Sequence, residues 1–178
     1  MPRRTKEEAA QTRKTLIHAA LNLFSENGVA HTTLTDISKA AGVTKGAFYW
    51  HFKNKLEIFE AIVQEIVEPV DLQSKEIVMQ ASDPLQGLFD SLSFYLKQVE
   101  QSEALKAFFT VSFFKCEYTQ DLAPLLKFDQ QEMAETQEMV TQLLKQLPQD
   151  KWANAKPQDC TPIAIVLIDT VVGCMMRW

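Results

Sequence analysis

Apolar residues recur three or four positions apart over most of this chain, with few breakers between them, which predicts an all-α protein. Thr5-Lys6-Glu7-Glu8 has the form of a capping box. It predicts a long first helix with Leu16, Ile17, Ala20, Leu23 and Phe24 as its buried stripe, ended by Gly28. Two short helices follow between Thr33 and Phe52. Asn54-Lys55-Leu56-Glu57 opens a fourth, carrying Leu56, Phe59, Ile62, Val63 and Ile66 on one side, with Pro69 at its end. Glu76 to Met79 lie on a further helix. Ser82-Asp83-Pro84 begins another, with Leu85, Leu88, Phe89, Leu92 and Leu96 as its apolar face. Residues 105–115 are dense in phenylalanine, Pro124 marks a break or a start, and an amphipathic acidic segment runs to Leu147. Residues 151–157 are predicted to be a loop. Thr161-Pro162 opens a last helix, apolar nearly all round through Ile163, Val166, Leu167, Val171, Val172, Met175 and Met176. Such a helix needs cover on more than one side. The reading favours a subunit interface over a helix covered within its own chain.

The two short helices carry the chemistry. Ala40, Ala41 and Gly42 are small enough for the helices to meet across a tight turn, and glycine supplies the left-handed residue that ends the first. Thr44 is placed to cap the second, and Ile37 and Val43 are apolar pins. The second helix is crowded with basic, hydroxyl and aromatic side chains: Lys45-Gly46-Ala47-Phe48-Tyr49-Trp50-His51-Phe52. This is the form of a DNA-reading helix-turn-helix. Phe48 and Phe52, four apart, are assigned to the core.

Charge sharpens that reading. The net charge of -5 alone argues against nucleic acid. Residues 1–55, however, hold nine basic against four acidic side chains, a balance of +5, while the other 123 hold nine against nineteen, or -10. A positive head on an acidic body suits a phosphate backbone at one end only. Three widely spaced cysteines, Cys116, Cys160 and Cys174, fit a reducing cytoplasm. The charged amino terminus has no secretory form, and the apolar run from Ile163 to Met176 is too short for a bilayer. A cytoplasmic protein is expected.

With these residues laid out, the chain resembles the TetR family of transcriptional regulators over roughly residues 8–60. Phe113-Phe114-Lys115-Cys116-Glu117-Tyr118 and Val172-Gly173-Cys174-Met175-Met176-Arg177-Trp178 are similar to segments of its AcrR-like subgroup, which represses multidrug efflux genes. By that resemblance the last helix is the penultimate one, and one more would complete the four-helix packing of a homodimer. The resemblance implies phosphate contacts by Thr33 and Thr35, and by Thr44, Lys45 and Gly46 at the reader's N-terminus. Lys45 is also placed for a guanine edge. Tyr49, Trp50 and His51 would line the groove, and Lys55 would meet phosphate from the linker helix. Trp50 packed on its own helix and His51 merely exposed are the plainer alternatives. The Arg3-Arg4-Lys6 tail is either a solvated terminus or an arm on the backbone.

The division expected is a DNA-binding domain over residues 1–53 and a ligand-binding, dimerising domain over 54–178. Phe109 and Phe113 with Glu65, Glu68 and Glu117 are the expected pocket for a hydrophobic or cationic effector, by stacking, cation–π attraction and charge pairing. An aromatic stripe that is simply core is the competing reading. No cofactor or metal is expected. An enzyme fails on inventory, with all three histidines within the first 51 residues and no phosphate loop or nucleophile elbow. An activator of the same fold and a helical protein-interaction adaptor are the remaining alternatives to a repressor.

Overall fold

In the computed structural model the described residues are 6–116, 123–148 and 160–177, and the regular structure among them is helical. Nine α-helices follow in order: α1 (Lys6–Asn27), α2 (Leu34–Ala40), α3 (Lys45–His51), α4 (Lys55–Ile62), α5 (Glu68–Gln80), α6 (Pro84–Gln101), α7 (Glu103–Thr110), α8 (Ala123–Lys145) and α9 (Cys160–Met175). Single π-helical turns, Val63–Val67 and Val111–Lys115, follow α4 and α7. Thr5, Arg3, Arg4, Glu117, Tyr118, the expected loop at 151–157 and Trp178 lie outside the described residues. Among the described residues no helix is long and apolar enough to cross a membrane.

The chain packs as two compact units: residues 1–68 with 103–123, and residues 69–102 with 124–178. In the first, α1 is the central post, touching α2, α4, α7 and the second π turn. Leu16, Ile17, Ala20, Leu21 and Phe24 form its buried face. Leu21 takes the place expected of Leu23, which is half-buried, because Leu21 stands one turn on from Ile17 on the inner face, whereas Leu23 lies about 200° around the helix from Leu21. Phe59 stacks on Phe24 at a centroid distance of 6.4 Å and meets Phe108 at a tilt at 6.0 Å, which ties α1, α4 and α7 into one core. At about 25 cal/mol gained per Å² of apolar surface removed from water, large buried rings of this kind contribute strongly to the core's stability.

Pro69 does not end the helical run, contrary to expectation. It occupies the first turn of α5, where a missing N–H costs little, directly after the π turn has already shifted the hydrogen-bond register so that Glu68 N–H donates to Val63 O.

The second unit holds α5, α6, α8 and α9. Asp83 caps α6, its side chain accepting from Leu85 N and Gln86 N at 2.8 and 2.9 Å, with Pro84 as the first helical residue. Leu88 joins Val140, Leu144, Cys160 and Ala164 in a core flanked by Leu92 and Leu167. Leu85 and Phe89 were expected on that face but are exposed, since the buried stripe of α6 runs through Gly87, Leu88 and Ser91. α9 begins at Cys160, and within this chain only Cys160 and Ala164 of it are buried.

Candidate nucleic-acid interface

The turn between α2 and α3 is fixed by its backbone. Gly42 has φ +67, its N–H donates to Lys39 O at 3.0 Å, and Val43 N–H donates to Ser38 O at 2.9 Å. This pair of bonds is the Schellman arrangement, which satisfies the last carbonyls of α2 and turns the chain directly into α3. Ile37 is fully buried below it and Val43 half-buried beside it.

Both helix starts are capped, α3 by Thr44 as expected and α2 by Thr33, which was expected only as a phosphate contact. Thr33 Oγ1 accepts from Asp36 N at 3.2 Å, and the Asp36 carboxylate accepts from Thr33 N at 3.1 Å and from the Thr33 hydroxyl. Those hydrogen bonds, Thr33's hydroxyl first and its N–H second, hold the Asp36 carboxyl below its usual pKa. The Thr33 hydroxyl proton is thus committed to Asp36, whereas Thr35, the second residue of α2, is exposed like both of them and is not held by that cap. Thr44 Oγ1 accepts from Ala47 N at 3.2 Å, leaving the start of α3, with Lys45 and Gly46, exposed.

α3 has two faces. Phe48 is fully buried and Phe52 is 3% exposed, as expected of a core pair, their rings 5.8 Å apart. The other face presents Tyr49 at 50% and Trp50 at 74% exposure. Lys45 Nζ lies 5.9 Å from the Tyr49 ring centroid, a cation–π approach across one helical turn. His51, half-buried, meets the Trp50 ring edge-on at 4.7 Å. Rings so exposed gain little from burial where they stand, and side by side with Lys45 they form a contact surface of mixed aromatic and basic character.

Lys55 is not aimed at solvent. Its ammonium donates to Val29 O at 2.9 Å and Ala30 O at 3.2 Å, so it reaches a phosphate only by leaving those carbonyls. Sequence reasoning missed this because the carbonyls sit 25 and 26 residues away. It also missed Arg13, whose guanidinium lies 5.3 Å from the Phe52 ring centroid and pairs with Glu65 at 3.3 Å. No local signal identifies that link between α1, the end of α3 and the first π turn.

The expected pocket residues are partly assembled. Phe109 and Phe113 stack at 5.6 Å, in a series continuing to Phe108 and Phe114. Glu65 faces Arg13 rather than an open carboxylate site, and Glu68 is exposed. Glu117 lies outside the described residues. In the second unit, burial pushes the Tyr95 phenol above its ordinary pKa, with the Asp71 charge and hydrogen bond adding to the effect. Among the described residues no cluster of His, Cys, Asp or Glu is arranged to hold a metal ion.

A capped, Schellman-linked helix pair whose second member is anchored by two phenylalanines and displays Lys45, Tyr49 and Trp50 defines a DNA-binding protein of the helix-turn-helix class. Comparison with known proteins extends the assignment. Residues 16–62 match the family described as bacterial regulatory proteins, tetR family, and residues 83–178 match the MAATS-type transcriptional repressor, C-terminal region. The chain belongs to the TetR family of transcriptional regulators. It is 33% identical to the HTH-type transcriptional regulator AcrR of Shigella flexneri over all of this chain and 83% of that protein. It is also 33% identical to the repressor BepR of Brucella suis, over 99% of this chain and 84% of that one. Among solved structures it is similar to NalD, the secondary repressor of the MexAB-OprM multidrug efflux pump in Pseudomonas aeruginosa, with 28% identity, a TM-score of 0.82, and coverage of 96% and 85%. It is similar as well to SmeT in complex with triclosan, at 26% identity and a TM-score of 0.75, covering 94% and 79%.

Proposed function

We propose that this protein is a cytoplasmic, ligand-responsive repressor of multidrug efflux genes, a homodimer that leaves its operator when a hydrophobic or cationic small molecule binds. The observation that carries this reading is the two-faced α3: Phe48 and Phe52 fixed inside, Lys45, Tyr49 and Trp50 presented outside. In the proposed complex α3 enters the major groove, with Thr35, Thr44 and Gly46 at phosphates and Lys45 at a base edge or phosphate. Residues 1–53 read DNA, and residues 54–178 take the effector and dimerise. Phe109 and Phe113 line the effector site, with Glu68 and Glu117 as its carboxylates. Glu65 joins them only by exchanging Arg13 for the ligand's charge.

The route of the signal follows the rings. Phe109 stands next to Phe108, which meets Phe59, which meets Phe24. An effector that displaces Phe109 therefore moves the packing of α4 and α1, on which α2 rests. A coupling of about 1–3 kcal/mol between effector and operator suffices for release.

Operator fragments selected from the source genome with purified protein supply the test. Binding falls steeply with salt as counterions are released, and the Lys45→Ala, Tyr49→Ala double variant loses retention while its far-UV circular dichroism stays that of the parent. Wild-type affinity and salt slope in that variant sink the reading. Triclosan, the partner of SmeT, is the first effector to titrate into the bound complex.

A further inference from the structure

One side chain of α1 holds two other elements. The Arg13 guanidinium carbon lies 5.3 Å from the Phe52 ring centroid, and its Nη1 donates to Glu65 Oε2 at 3.3 Å. Phe52 closes α3: its N–H donates to Phe48 O at 2.9 Å, its ring lies 5.8 Å from that of the buried Phe48, and 3% of it is exposed. It therefore moves with the reader. Glu65 belongs to the π turn Val63–Val67 that follows α4. Helices bend most readily at such turns, where the hydrogen-bond register changes. From Phe52 to Glu65 the main chain runs through Lys53, Asn54 and the whole of α4, whereas Arg13 joins the two directly.

The side chains of Arg13 and Glu65 are 39% and 25% exposed. A pair so open to water adds little to global stability. Its use is geometric. A rigid, delocalised guanidinium that meets a ring and a carboxylate at once accepts few arrangements of the elements that carry them. We propose, resting on the operator binding above, that Arg13 is a positioning residue for that binding. With Phe52 and Glu65 it sets the angle between α3 and the linker's π turn, and so the separation at which the two readers of a dimer stand.

The full-length protein makes the test, with its selected operator duplex and the same duplex lengthened by one base pair between the half-sites. Anisotropy titrations are run at several salt concentrations, well below the unfolding temperature. One extra base pair moves the half-sites apart by about 3.4 Å and turns one about 35° around the duplex axis, so the wild type strongly prefers the parent spacing. Arg13→Met, which keeps much of the aliphatic stem, and Glu65→Gln each bind the parent operator about three- to tenfold more weakly. Their preference for the parent spacing falls by about threefold or more, because a reader not held at one angle accepts the altered one. The double variant loses about what Arg13→Met alone loses, since Glu65 acts through Arg13. Arg13→Lys falls between wild type and Arg13→Met: its ammonium pairs with Glu65 but lacks the guanidinium's fit to the ring. The slope of log affinity against log salt stays that of the wild type.

Unchanged affinity in either single variant overturns the proposal. So does a loss that leaves the spacing preference at its wild-type value, which marks a merely structural role. A slope reduced by about one unit marks a phosphate contact by Arg13 and overturns it too. The free protein reads the bridge without DNA: Glu65→Gln shifts the Phe52 amide resonance, and no longer does so once Arg13 is replaced by methionine. A Phe52 resonance indifferent to Glu65→Gln overturns the bridge. Wild-type protein that binds no duplex while that response is intact sinks the proposed function instead. Should Arg13→Met not fold, Glu65→Gln and Arg13→Lys carry the same comparisons.

Discussion

Phe48 and Tyr49 adjoin in sequence yet do opposite things, because a 100° step around α3 moves one from the core to water. Phe48→Ala removes a fully buried ring and destabilises the protein by about 3–5 kcal/mol in urea unfolding. Tyr49→Ala, at a half-exposed site, changes stability by no more than about 0.5 kcal/mol while weakening operator binding. A Tyr49 variant that unfolds like the Phe48 one would place the tyrosine in the core and dismantle the interface. The capping carboxylates give a pH test. Asp36 and Glu57 are both held below their usual pKa by hydrogen bonds, from Thr33 and from Lys53 respectively. A lowered folded-state pKa contributes stability that is present above the unfolded value and is lost as pH falls through the folded one. The stability difference between wild type and Asp36→Ala is therefore present at neutral pH and disappears in strong acid. A difference that persists there would mean that the carboxylate charge is not what holds the cap.

The elements show where sequence suffices and where it stops. Caps and glycine turns were legible because they are local: Thr44, Asn54 and Asp83 each accept from backbone N–H groups two or three residues on, and the Thr33 cap, equally local, went unread. The same locality made Phe48 and Phe52 readable as core and Lys45, Tyr49 and Trp50 as surface. The π turns were not legible, since a single-turn change of hydrogen-bond register leaves no mark in the composition of Val63–Val67 or Val111–Lys115. Pro69 misled for that reason, as did Lys55, whose partners are distant in sequence. Phe89 misled because an apolar side chain at helical spacing does not say how wide the buried stripe is. The α5–α6 corner offers a further test. A Cβ on Gly87 would stand 2.5 Å from Ala81 Cβ and 3.4 Å from Val78 O, neither the tip of a flexible side chain. Helix propensity favours alanine there by about 1 kcal/mol, but overpacking costs about 1–3 kcal/mol and wins. Gly87→Ala lowers the midpoint of thermal unfolding; a raised midpoint would show that the corner opens freely.

On the proposed reading, what the protein does as a molecule depends on pairing. Reader helices on an operator must lie about 34–36 Å apart, one duplex turn, or a multiple of that, so a lone subunit holds half a site. α9 is the face on which the proposed dimer turns. Its residues are the most uniformly apolar among the described helices, yet Ile165 and Val166 are 40% and 64% exposed within one copy, as is Met176 just past its end at 44%. Apolar area left in water on this scale is an unspent driving force at about 25 cal/mol per Å². A second copy meeting the same face through a twofold axis removes it from both chains at once. Val166→Asp places a charge in the middle of that face without touching Cys160 or Ala164, the buried side of the helix. The expected outcome is a folded monomer by sedimentation velocity where the wild type sediments as a dimer. Operator binding weakens far more than any single phosphate contact explains, because the loss is of the second half-site. The salt slope falls to about half, since half the phosphate contacts are released together. A Val166→Asp protein that stays dimeric and keeps its full slope would move the dimer interface off α9 and leave that helix's apolar surface to another partner.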